Sequence, residues 1–199
     1  MNSKNEKSAE HFTSEDMDCQ VSSIQPVKAA LAKAKKRSQR NAPSFRGLEE
    51  KTYNLFSTDH VKHCWHSITS AKYIEFYPPE DWDPFPNYTD GRGPVEGHIY
   101  LVTGQFCSLD LFTPPSKYPS TKFHKLTANK GRKTVDVQFL DEYFLILKIH
   151  RDFVFSTQSR EIPKEAPEFF TYYGIAEGYT PPVDKREEIA KRCRSASPQ

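Results

Sequence analysis

Four side chains able to bind a metal ion fall between positions 60 and 66: His60, His63, Cys64 and His66. On a helix, His60 and Cys64 stand four apart and His63 and His66 three apart, so either pair can offer two zinc ligands. A structural zinc site needs four ligands and a catalytic one three, and no HExxH or paired-cysteine pattern completes either set. The same residues also read as a helix turn with Cys64 and Trp65 toward a core and the imidazoles toward water. On that reading neither a metal nor another cofactor is expected. Three further histidines, His98, His124 and His150, fall in or near strand-like segments. Neighbouring strands of a barrel can gather such residues around a cavity, so they are the cavity candidates; outward-facing strand positions are the alternative. Cys107 has no activating partner near it in sequence, and on an inward strand position burial raises a thiol's pKa and leaves it inert. No GxSxG, phosphate-binding or dinucleotide-binding glycine pattern occurs. Catalytic residues therefore stay unassigned, and enzymatic activity is left open.

A second constellation suits binding. Glu80, Asp81 and Asp83 surround Trp82, with Phe85 and Tyr88 close by, in a stretch from Pro78 to Pro94 that holds five prolines. Carboxylates among aromatic faces attract a cationic peptide or ligand by charge and cation–π contact. The same aromatics can instead tuck into a core, or the chain's own basic segment, Lys33 to Arg40, can lie against this loop. That segment contains Lys35, Lys36 and Arg37, a pattern that suits nuclear import. Nucleic acid is expected to bind only weakly, through residues 26–46, because no aromatic side chain is interleaved for base stacking and the few charges make binding salt-dependent. Near the other end, Ser197 has Arg194 three residues before it, which makes it a candidate phosphosite for a basophilic kinase.

The elements that would position these groups follow from periodicity. Val27 to Arg40 is built of strong helix formers. Its apolar side, Val27, Leu31 and Ala34, is narrow, so this helix should firm up only against a partner. Ser57, Thr58 and Asp59 offer N-caps to a helix over His60–Ser70, with Val61, Cys64, Trp65 and Ile68 on one face. Strands are predicted over Ala71–Tyr77, His98–Thr103, Gln105–Phe112 and, more weakly, Lys122–Thr127. A turn at Asn129-Lys130-Gly131 leads to Lys133–Leu140, where Val135, Val137 and Phe139 alternate with Thr134, Asp136 and Gln138. Beyond Asp141-Glu142, Tyr143–His150 is apolar on both faces and should be a covered strand. Asp152 to Ser156 adds a short strand, Pro163 to Pro182 lies over the sheet, and Asp184 to Arg194 forms a charged terminal helix. The fold class is thus mainly β, an antiparallel meander of five or six strands curled into a small barrel or half-barrel, preceded by an α-helix and flanked by disordered tails.

Composition sets the domain limits. The chain has 199 residues, 36% hydrophobic and 27% charged, with a mean hydropathy of −0.74. Of its 26 aromatic residues, 24 lie within 52–180. Only that stretch is dense enough in apolar area to offset its conformational entropy. A single β-rich domain is predicted over 52–180, between a tail over 1–50 that carries the basic helix-prone segment 27–40 and a charged helix and tail over 181–199. The net charge of +2 conceals +3 in residues 1–51, −3 in 52–180 and +2 in 181–199. An acidic domain argues against a dedicated nucleic-acid-binding fold. No apolar run nears the ~20 residues of a membrane-spanning helix, so no membrane partner is expected. The first residues lack a signal peptide's apolar stretch, and the four cysteines are widely spaced. Reduced thiols and a nuclear or cytoplasmic location are therefore expected. The leading functional expectation is a non-enzymatic intracellular binding module that presents the 78–94 loop and the sheet, with a basic N-terminal arm. The alternative is a small-ligand-binding β-barrel, or a barrel enzyme acting on a small, partly apolar molecule. Only the alternative requires an empty cavity.

Overall fold

Alternation of apolar and polar residues over Lys133–Phe139 demands a sheet with one dry face, and that dry face is the inside of a barrel. The structure is a computed structural model that describes residues 14–36, 47–64, 71–79, 93–102, 105–117, 119–120, 122–156 and 161–181. In chain order its elements are α1 (Ser14–Lys36), β1 (Lys51–Phe56), α2 (Thr58–His63), β2 (Tyr73–Tyr77), β3 (Val95–Val102), β4 (Gln105–Phe112), β5 (His124–Ala128), β6 (Lys133–Phe139), β7 (Phe144–His150), α3 (Arg151–Val154) and β8 (Phe169–Ala176). The eight strands pair antiparallel in sequence order, and β8 returns to β1 to close the barrel.

The meander is therefore a closed barrel of eight strands, where the sequence predicts five or six. The extra strands are β1 and β8, which pair with each other from Tyr53↔Ala176 to Phe56↔Tyr173. The segment expected to lie over the sheet thus joins it as β8. Arg151–Val154 forms a short helix where a strand was expected. His150 caps it by accepting the Asp152 backbone N–H on Nδ1, at 3.2 Å.

Eight strands give an interior just wide enough to be filled by side chains. Tyr53, Leu55, Ile74, Phe76, Ile99, Leu109, Val135, Val137, Phe139, Leu145, Leu147, Phe170 and Tyr172 point inward and are buried. Gly97 admits no side chain, because a Cβ there would overlap the Glu75 backbone carbonyl oxygen; one on Gly174 would stand 2.6 Å from Leu145 Cδ1, so the Leu145 side chain would have to shift. The β5–β6 turn runs through Asn129, Lys130 and Gly131, all with positive φ. Asp110 accepts the Lys130 and Gly131 backbone N–H groups at 2.8 and 2.7 Å, which ties that turn to β4.

A second layer lies outside. Phe144 and Ile146 of β7 face away from the interior yet are buried, with Val27 and Leu140. Their cover is α1, which supplies Val27, Ala30, Leu31 and Ala34. The expectation of a disordered tail is thereby corrected over residues 14–36. A narrow apolar stripe does need a partner, and the partner is the barrel's own outer surface. Gln20 fixes the register by accepting the Ser57 backbone N–H at 2.9 Å. The parts of the predicted tails at 1–13, 37–46 and 182–199 lie outside the described residues. No helix among the described residues is long and apolar enough to cross a membrane.

Candidate functional site

Of the histidine–cysteine group, His60, His63 and Cys64 follow directly on β1, and His60 and Cys64 are buried. Ser57 caps α2, accepting the His60 backbone N–H on Oγ at 3.2 Å. The helix ends at His63, because Cys64 leaves helical geometry at φ −120° and ψ 43°. The longer helix predicted to Ser70 is thus cut short, and residues 65–70, His66 among them, lie outside the described residues. His60 is fully buried and shares a 2.8 Å hydrogen bond from Nδ1 to the Tyr172 hydroxyl. Burial pushes its pKa down to about 3, and the nearby Lys72 ammonium adds to that shift. Burial likewise raises Tyr172 well above the ordinary phenol value, so both partners are neutral. The His63 ring packs edge-on against Phe170. The imidazole expected to face water is therefore a core group at position 60. No group of three or more metal-ligating side chains occurs among the described residues.

The three cavity histidines do not converge. His98 lies on the outer face of β3, bonded to the Tyr77 hydroxyl through Nε2 at 2.9 Å. His124 takes an inward register position opposite Val137, against the Phe139 ring, and its Nε2 is 2.7 Å from Ser120 Oγ. Burial lowers its pKa. His150 faces outward beside Phe169, within 4.0 Å of Asp152 and Glu168. The interior they were expected to line is occupied. Tyr53, Phe76, Phe139, Phe170 and Tyr172 expose less than 2% of their surface. A side chain with no area open to water borders no water-sized void. Cys107 is buried on the inner face of β4, and burial raises its pKa to about 11, as its inward position implied.

The outer faces carry the unspent chemistry. On β2 and β3, register sets Tyr73 opposite Tyr100, Glu75 opposite His98 and Tyr77 opposite Glu96. The Tyr73 and Tyr100 rings stack with centroids 4.3 Å apart and planes 22° apart. Glu75 Oε1 lies 3.3 Å from His98 Nδ1. Tyr100 is raised above the usual phenol range by desolvation, then by the Glu75 carboxylate and Tyr73. Two carboxylates thus stand among three phenols and an imidazole on a convex, half-exposed face. The connection from Tyr77 to Val95 begins and ends on these same two strands. Glu80, Asp81, Trp82, Asp83, Phe85 and Tyr88 all belong to it and lie outside the described residues. The sequence pattern gave Tyr77 and His98 separately; their pairing depends on the β2–β3 register, which no local signal fixes.

A second outer feature runs beside α1. One groove, about 430 Å3, is lined by Pro26, Lys33, Leu140, Asp141, Phe144 and Tyr179 among others. Another, about 550 Å3, lies on the opposite flank, over Leu31, Phe123, Ile146 and Tyr173. Lys35 and Lys36 are exposed in the last turn of α1, whereas Arg37 and Ser197 lie outside the described residues. Compared with known proteins, the chain matches no family model, no curated sequence and no solved structure.

Proposed function

We propose that the chain is a non-enzymatic binding module: a solid barrel that displays the outer face of β2 and β3, with the connection between them, to a cationic segment of a protein partner. The carrying observation is the placement of Glu75 and Glu96 among Tyr73, Tyr77, His98 and Tyr100 on that face. Stacked phenols offer π faces to arginine or lysine, and the carboxylates supply the matching charge. The acidic, aromatic composition of residues 80–90 extends the same chemistry along the chain. The reading as a ligand barrel or barrel enzyme is disfavoured by the filled interior and the scattered histidines. The exposed lysines at the end of α1 suit import into the nucleus, and a nuclear or cytoplasmic location belongs to this proposal. The test is titration of the full chain with an arginine-rich peptide, followed by fluorescence anisotropy. Glu75→Gln and Tyr100→Ala should each weaken binding by roughly 3- to 30-fold, whereas Thr134→Ala, on another strand, should not. Unchanged affinity in both variants would refute the assignment of this face.

A further inference from the structure

The stripe by which α1 docks tapers along its length. Ile24 and Val27 are buried, but beyond them the sheet-facing residues include Ala30 and Ala34. A methyl group is too short to fill the space between a helix axis and a sheet, so a groove opens along each flank. The two grooves differ in charge. In the first, Lys33 and Asp141 face the same space and offset each other. In the second the floor is mainly apolar, with Ser120, Gln138 and Thr171 as uncharged polar groups; the charged groups are Lys35 and Lys148, and no carboxylate occurs among the described residues that line it. The Lys148 ammonium sits 4.7 Å from the centroid of the Phe123 ring, and that of Lys28 sits 5.7 Å from the centroid of Tyr173. Across the outer sheet the row Lys125, Asp136, Lys148, Thr171 places one carboxylate between two lysines, so the surplus stays positive. Phe123 is 36% exposed at the rim, a large apolar surface left open to water.

We propose that this second groove is a docking site for an acidic amphipathic helix of a partner protein. Aliphatic side chains of that helix would lie on Leu31, Phe123, Ile146 and Tyr173, and its flanking carboxylates would meet Lys35 and Lys148. Charge complementarity selects the occupant: an apolar floor between two lysines repels a basic helix and favours an acidic one over a neutral one. The form of the groove selects among acidic ligands. A trough that lies open beside the last turns of α1, at Leu31, Ala34 and Lys35, can seat a helix laid against them, whereas a single-chain fatty acid needs a closed tunnel to shed its water. A flat bilayer cannot enter a concave trough. Rim ion pairs contribute little affinity by themselves, so the apolar anchors hold the helix and the lysines set its sign. This site is separate from the β2–β3 face and opposite in charge, and either can fail without the other.

The experiment uses the full chain and a fluorescein-labelled synthetic peptide with leucines at helical spacing flanked by glutamates. Its twin carries glutamine at every glutamate. Binding is read by anisotropy at low and at near-physiological salt, beside sedimentation with phosphatidylserine vesicles. The protein variants are Lys35→Glu/Lys148→Glu and Phe123→Ala, all at surface positions, with circular dichroism confirming the fold. The glutamate peptide should bind the natural chain saturably and about tenfold more tightly than its twin, and more weakly as salt rises. The double variant should lose that preference, and Phe123→Ala should weaken both peptides. Absence of saturable binding, equal affinity for the natural chain and the double variant, or capture of vesicles without capture of the peptide would each overturn the proposal.

Discussion

His60 concentrates most of the residue-scale chemistry of this chain. A buried imidazole held neutral and hydrogen-bonded to Tyr172 titrates differently folded and unfolded. Its folded pKa is about 3, against 6.5 for the exposed group. Between those values only the unfolded chain binds the proton, so the stabilisation present above pH 6.5 is lost as pH falls toward 3. From pH 7 to pH 4.5 the loss from this one group should be about 2–3 kcal/mol. Other groups titrate in that range. Burial raises the Asp141 carboxyl, for example, and works in the opposite direction. The measurement is therefore a difference: urea unfolding of the natural chain and of His60→Gln at pH 7, 5.5 and 4.5. The variant should be less stable at pH 7 and close the gap, or reverse it, at pH 4.5. A constant gap would mean that His60 is not neutral and buried. Sequence identifies His60 as a member of a local cluster, but not its partner, because Tyr172 is 112 residues away. A histidine's neighbours in sequence say which ligands it could share, whereas its pKa depends on the groups packed over it.

Elements show the same division between local and distant causes. Lys133–Phe139 is legible because strict alternation and a strong turn before it leave only one dry face. β7 is legible as a strand covered on both sides, and residues 27–34 as a narrow apolar stripe in need of a partner. That each is the other's cover is not legible, since nothing in either segment names the surface it meets. β1 and β8 escape for a related reason. Each is short or apolar on both faces, and each is a strand because the row Leu55, Gly174, Leu145, Phe139 closes the barrel across residues far apart in sequence. Closure is also uneven. β6, β7 and β8 are paired along their lengths, whereas among the described residues β4 and β5 share one register pair, Leu109↔Ala128, beside the hydrogen bonds from Asn129, Lys130 and Gly131 to Ser108 and Asp110. Local opening starts where the fewest backbone bonds hold. Amide exchange should be fastest, among the barrel strands, in β5 and the outer edge of β4, and slowest in β7. Slow exchange at Lys125 and Leu126 comparable to Leu145 and Leu147 would show that this seam is as firm as the rest. Val27→Asp tests the other junction: it places a carboxylate under α1, and exchange over 14–36 should become fast while β6–β8 stay protected.

At the scale of the whole molecule, the described side chains take up the inside of the barrel, so the binding role proposed above falls to its outside. Two outer surfaces of opposite charge follow, the aromatic and acidic face of β2–β3 and the lysine-flanked groove beside α1. Neither is legible in the sequence as a surface, although their parts are visible as the strands Ala71–Tyr77 and His98–Thr103 and a basic helix-prone segment, because both exist only after register and closure are set. The solid interior is the premise of this arrangement and can be tested directly. Phe139 is fully buried, in contact with Phe76 and His124. Phe139→Ala removes the whole phenyl ring from a space that cannot collapse around it, since β6 is held on both sides, and should cost about 3–5 kcal/mol. Apart from the His124 ring, whose Nε2 is engaged by Ser120, the void left behind is lined by apolar groups, so it should stay dry and accept xenon or benzene. The natural chain should accept neither, and its thermal midpoint should not move when benzene is added, whereas that of the variant should rise. Should Phe139→Ala fail to fold, Ile99→Ala makes a smaller void elsewhere in the same interior with the same expectation. A rise in the midpoint of the natural chain would reveal space inside the barrel and put the small-ligand reading ahead of the binding module.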